Sequence, residues 1–187
     1  MPEGFLGDGL IFEEALPATW TPGPPPDGFS LGRFNADNHQ LLGAEASLDE
    51  VRVHEALKDE SPALLHELQR LEYKVNILLR LTAELAMRNS GMPVPVRVRL
   101  SSLGLEWFGD TSPPVGETGL LCLYINPALP QPLKIFCTAA SERVDPDRGA
   151  RVAQLRFTGL SESVIDLLEK LVFRHHRRLV AGTRQTS

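Results

Sequence analysis

The stretch RVRLSSLGLEWFG, Arg97 to Gly109, alternates apolar and polar residues, breaks at two serines and a glycine, and then alternates again. A period of two puts Val96, Val98 and Leu100 on one face of a strand, and Arg97 and Arg99 on the other. Ser101 and Gly104 are three apart, where serine can bond local backbone and glycine permits a tight reversal. The reading is therefore strand, turn, strand.

Outward from that hairpin the same period continues. VPVRVRL, LGLEWF, GLLCLYIN, PLKIFCTA and ARVAQLRFTG are five strand candidates separated by turn clusters such as DTSPPVGE (110–117). SESVIDLLEKLVFRHHRRLV then switches to helical spacing, with Val164, Leu168, Leu171 and Leu179 on one face and Ser161 or Ser163 as its opening. The second half reads as an antiparallel β unit closed by a helix.

The first half reads differently. GLIFEEALPATW (9–20) predicts a strand ending at Pro17. Thr21 to Ala46, rich in Pro, Gly and Asn, predicts mostly irregular chain with a short strand near Phe29–Phe34. Ser47 and Glu50 have capping-box spacing, so a helix is expected to open at Leu48. Ser61 and Pro62 suit the cap and first turn of a second helix, and Gly91 and Pro93 stop it near Asn89–Ser90. Roughly 28 residues at about 1.5 Å each make a rod near 40 Å long.

Along that rod Leu57, Leu64, Leu71, Leu78 and Leu85 recur every seventh residue, with Leu68, Val75 and Thr82 interleaved. These are the d and a positions of a heptad seam. A leucine left in water forgoes about 1.5–3 kcal/mol, so the seam calls for a facing helix. Leu65, Leu79 and Ala86 at e and Leu81 at g widen the stripe, which favours more than two helices. Leucine at d with Val and Thr at a favours two. The broad stripe takes precedence, giving a homotetramer as the expectation and a dimer as the runner-up. A rod laid on its own β unit is the remaining alternative. Glu67, Arg70 and Lys74 fall on the solvated faces.

Bulk numbers limit the function. At 187 residues with 42% hydrophobic residues, the chain can form one elaborated domain or two small ones. Residues 1–90 hold 7 Lys and Arg against 15 Asp and Glu, and an acidic half of this kind argues against nucleic acid as a partner. No apolar run spans a membrane and no secretory leader opens the chain, so membrane insertion is not expected and a cytoplasmic location is. Cys122 and Cys137 fall in apolar strands as core thiols. His175 and His176 point different ways along a helix among Arg174, Arg177 and Arg178, whose charges repel a cation; no metal site is expected there. That basic helix end, which suits the C-terminal pole of a helix, is expected to meet an acidic surface of this chain or of a partner. Trp20, Phe29 and Phe34 are either core or contact residues. No catalytic constellation or phosphate loop occurs, so neither enzymatic activity nor a cofactor is expected.

From Val94 to Leu179 the order of elements resembles the PilZ domain: a strand, the Ser-x-x-Gly turn, LGLEW, a Pro-x-x-Gly-Glu turn opening TGLLCLYI, PLKIFCTAA, VAQLRFTGL and a closing helix. The resemblance implies an α+β fold, a six-stranded antiparallel β-barrel with a C-terminal helix, here with a long coiled-coil helix added. Its sixth strand is expected from Gly9–Leu16, making the rod an insertion, as in an atypical branch that oligomerises through a heptad-bearing helix. The expected organisation is residues 1–46 as an N-terminal segment giving a strand to the barrel, 47–91 as the heptad region, and 92–187 as barrel and closing helix. The family binds cyclic di-GMP through Arg-x-x-x-Arg and Asp/Asn-x-Ser-x-x-Gly. Here the second motif keeps Ser101 and Gly104 but has Arg99 at its first position, where five donors and no acceptor face the guanine N–H groups. The first motif is missing before Val94, and the only Arg-x-x-x-Arg, Arg174 to Arg178, lies on the wrong side of the barrel sequence. The resemblance thus implies a scaffold for protein partners in type IV pilus, motility or virulence regulation that does not bind the dinucleotide in the usual way. A receptor using other residues, such as Arg97, Arg99 or the arginines of the last helix, is the alternative.

Overall fold

The computed structural model describes residues 5–6, 10–50, 91–126, 129, 131–146 and 149–184, together with part of 66–85. Six strands close a barrel: β1 (Phe12–Pro22), β2 (Pro95–Leu100), β3 (Gly104–Phe108), β4 (Thr118–Leu123), β5 (Leu133–Val144) and β6 (Arg151–Thr158). Their order around it is β1-β2-β3-β6-β5-β4, antiparallel throughout. Two helices flank it, α1 (Gly28–Glu50) and α2 (Glu162–Arg184). The mixed α+β barrel read from the sequence is the fold observed.

Alternation explains the core. Val98, Leu100, Leu105, Leu121, Leu123, Ile135 and Leu155 point inward and are fully buried. Val164, Leu168, Leu171 and Val172 of α2 pack against them in one cluster; the Leu179 side chain is outside the described residues. Ser161 opens α2, its carbonyl accepting from the backbone N–H groups of Val164 and Ile165.

The sixth strand does come from the N-terminal segment, but it does not end at Pro17. It runs to Pro22, because its first half pairs with β2 (Phe12↔Leu100, Pro17↔Pro95) and its second half with β4 (Ala18↔Leu123, Pro22↔Gly119). Pro17 sits where the strand passes from one neighbour to the other, so its missing N–H breaks neither ladder.

The largest departure is Thr21–Ala46. Instead of irregular chain with a strand at Phe29–Phe34, residues 28–50 are one helix, and it runs through residues 46 and 47. Ser47 is therefore interior rather than a cap, and its hydroxyl donates to the Gly43 carbonyl. The cap is Asp27, whose carboxylate accepts from Ser30 N–H at 2.8 Å. The inward stripe of α1 is as polar as it is apolar. Leu41 and Leu42 are buried, and so are Asn38 and Glu45. Asn38 exchanges two 2.9 Å hydrogen bonds with the Lys134 backbone. Asn35 donates to the Gly159 carbonyl and accepts from Ser161 N–H. Gly159 itself has φ of +75°, and a Cβ there would lie 2.8 Å from Leu31.

Backbone is helical at the described positions between His66 and Leu85. Leu57, Leu64, the Ser61–Pro62 start and the Asn89–Ser90 end lie outside the described residues. Gly91 has φ of +64°, the conformation of a residue just past a helix end.

Candidate functional site

The β2–β3 turn carries Ser101 and Gly104, the two residues that match the expected nucleotide motif. Ser101 is buried; its N–H donates to the Gly104 carbonyl at 3.0 Å, and its Oγ accepts from Leu103 N–H at 3.2 Å. The serine is thus occupied in holding the reversal. Gly104 is required for space rather than for an unusual dihedral: a Cβ would stand 2.6 Å from the Leu155 carbonyl oxygen and 3.0 Å from the Phe5 ring.

Arg99 and Arg97 project from the outer face of β2 into a network of charges. Register places Arg99 opposite both Glu13 and Glu106. Its Nη1 lies 3.1 Å from Glu106 Oε2, and its Nε lies 3.6 Å from Glu13 Oε2. Arg97 donates to Glu13 Oε1 at 2.8 Å, comes within 3.6 Å of Asp145, and stacks its guanidinium 4.4 Å from the centre of the Phe108 ring. Arg143 binds both Glu106 oxygens, at 3.3 and 3.0 Å, and Gln154 donates to Glu106 Oε1 at 2.9 Å. Ser141 Oγ in turn donates to Gln154 Oε1. Burial pushes the Glu106 carboxyl up, but hydrogen bonds from Arg143 and Gln154 and the charges of Arg143 and Arg99 outweigh it and hold it below the ordinary range. Three guanidinium groups meet three carboxylates, so this cluster has no surplus positive charge for a phosphate.

β1 begins at Phe12, and residues 1–11 ahead of it contain no arginine. In place of a cationic clamp, Phe5 packs on the turn at Gly104. Arg174 and Arg178 also face carboxylates of this chain. Arg174 pairs with buried Glu45 of α1, and the charge of Arg178 acts on Glu14 of β1. The basic helix end therefore meets the acidic N-terminal half of the same chain. His175 stacks on Phe12 with ring centres 4.2 Å apart. No group of three or more metal-ligating side chains occurs among the described residues.

Sequence reasoning reached Arg97, Arg99, Ser101 and Gly104 but missed Glu13, Glu106, Arg143 and Gln154. The missed signal was Glu106 inside LGLEWF: a carboxylate in an otherwise apolar strand needs a cation, and a hairpin turning at Ser101–Gly104 sets Arg99 opposite it.

The heptad residues form a separate surface. The described leucines and valine at a and d, Leu68, Leu71, Val75, Leu78 and Leu85, are between 42% and 64% exposed. Thr82 is exposed too, its hydroxyl donating to the Leu78 carbonyl. Trp20 packs against the barrel core and donates to Glu117 at 2.6 Å, whereas Phe29 is exposed. Cys122 and Cys137 are free thiols, raised by burial; Thr19 and Lys134 partly offset this at Cys122. No described helix is long and apolar enough to cross a membrane.

Three comparisons bear on this geometry. Residues 42–185 match the family model described as an atypical PilZ domain, a cyclic di-GMP receptor. No curated protein sequence matches the chain. Among solved structures it is similar to a pathogenic protein from Xanthomonas campestris, at 26% identity and a TM-score of 0.72 over 93% of this chain and 92% of that one. That protein is described as a tetrameric PilZ domain self-assembled via an unusual helical bundle.

Proposed function

As the chain belongs to the atypical PilZ domain family, we propose that it is a non-enzymatic member that does not bind cyclic di-GMP in the usual way. It assembles as a tetramer through residues 57–85 and displays its barrels to protein partners in pilus, motility or virulence regulation. The observation that carries the reading is Arg99. It occupies the position where the family's motif has a guanine acceptor, and carboxylates of this same chain already engage it. A donor facing the guanine N–H donors costs about 1–3 kcal/mol, roughly tenfold or more in affinity. The dinucleotide's phosphates would also have to displace Glu13, Glu106 and Asp145 from the arginines.

The assembly part is supported by the exposed heptad stripe and by the tetrameric helical bundle of the Xanthomonas protein. The family description favours a second reading, a cyclic di-GMP receptor using other residues. Calorimetric titration of the intact protein with cyclic di-GMP separates the two. We expect no heat of binding at micromolar concentrations; saturable binding there overturns the reading.

A further inference from the structure

Beside the Ser101–Gly104 turn lies a cleft of about 720 Å³ between the segment before β1 and the outer side of α2. Leu6 and Val172 form buried parts of its lining. Leu10, Leu103 and Phe173 also line it, yet are 41%, 57% and 49% exposed. Large apolar side chains that gather around one concavity while remaining exposed mark a contact site.

Charge along the cleft is polarised. Asp166 and Glu169 lie at the end nearer the start of α2, Glu169 accepting from Ser102 Oγ at 3.2 Å. Lys170 follows. Toward the other end Arg174, also in the lining, is committed to Glu45, and Arg177 stands just outside the lining, 5.8 Å over the ring of Phe173. From residue 166 to 177 a helix rises about 16 Å, the reach of roughly five extended residues.

We propose that this cleft docks a short apolar peptide segment of a protein partner, with a basic residue over Asp166 and Glu169 and an acidic one beside Lys170 and Arg177. The chemistry follows from the two features together. Leu10, Leu103 and Phe173 take the apolar side chains, and the opposed charges set the direction in which the segment lies. A membrane surface fits less well, since Asp166 and Glu169 repel anionic headgroups at one end. This proposal rests on the scaffold reading above but not on the oligomeric state or on nucleotide binding.

The test is selection of a random dodecapeptide library on the intact protein, followed by fluorescence anisotropy of the enriched peptides. Enriched sequences should place two or more apolar residues between a basic and an acidic one. They should lose affinity at least about tenfold on a Leu103→Ser/Phe173→Ser variant, the loss expected when central anchors are truncated. Exchanging the peptide's two charged ends should weaken binding to the wild type and restore it to an Asp166→Lys/Glu169→Lys/Arg177→Glu variant. The substituted side chains lie at the surface, so folding is checked by circular dichroism alone. No enrichment, charge-blind peptides, or peptides indifferent to the Leu103→Ser/Phe173→Ser variant overturn the proposal. So does binding to phosphatidylcholine–phosphatidylglycerol vesicles that the same variant abolishes. Light scattering and dinucleotide titration of the same samples report separately on assembly and on messenger binding.

Discussion

Glu106 organises the outer face of the barrel. Its side chain is 5% exposed and is shared by Arg99, Arg143 and Gln154, while the two arginines remain about a third exposed. Glu106→Gln keeps the shape and removes the charge. Solvent screens the partly exposed arginines, so the expected loss at neutral pH is roughly 1–3 kcal/mol, below that of a fully buried pair. The pH dependence has a definite sign. A carboxyl held below its unfolded value adds stability above that value, near 4.5, and loses it as pH falls through the folded value. Chemical denaturation from pH 7 to pH 3 should therefore fall less steeply for Glu106→Gln than for the wild type; an unchanged acid limb would refute the assignment. Ser101, Gly104 and the misfit at Arg99 were all readable from the residues alone. The pairing of Arg99 with Glu106 was within reach of the hairpin register, but its second partner was not, because Glu13 reaches it from a strand more than eighty positions earlier in the chain.

At the level of elements, barrel strands and α2 announced themselves and α1 did not. Period two over Val98–Leu100 and Ile135–Cys137, and the three-four spacing of Val164, Leu168 and Leu171, are direct records of one buried face. In α1 the face toward the barrel includes Asn35, Asn38 and Glu45, so no apolar stripe betrays it, and Gly32 and Gly43 lower its intrinsic propensity. Such a helix is held by polar contacts from Asn35, Asn38 and Glu45 as well as by the burial of Leu41 and Leu42. The one cue is Asp27 after three prolines, a start signal set in a stretch whose Pro, Gly and Asn content otherwise reads as loop. Asn38→Ala should cost roughly 1–3 kcal/mol, because it leaves the N–H and carbonyl of Lys134 without partners beneath α1. Urea unfolding measures this, and hydrogen exchange should show faster loss of protection at Lys134. A variant as stable as the wild type would mean that α1 is held by Leu41 and Leu42 alone.

For the molecule as a whole, the heptad was the plainest feature of the sequence, and its described side chains lie on the surface of a single chain. A stripe of that kind is stable in water only when something covers it. Leu71→Glu/Leu78→Glu should therefore reduce the mass in multi-angle light scattering from that of a tetramer to that of one chain, while the β signal in circular dichroism persists. A wild type that runs as a monomer at micromolar concentration would remove the basis for self-assembly.

The chain leaves the barrel after Pro22 and re-enters it at Pro95, yet β1 and β2 are neighbours in the closed sheet. On the ribosome, the first strand emerges with both of its edges bare and stays so until everything from residue 23 to residue 94 has been synthesised. Closing so long a detour is entropically mild, since each doubling of a loop adds only about 0.6 kcal/mol, but it delays the event. The strand made earliest waits for both its neighbours, and β6, made last, closes the sheet between β3 and β5, so a chaperone or an early encounter between nascent rods would act before the barrel exists.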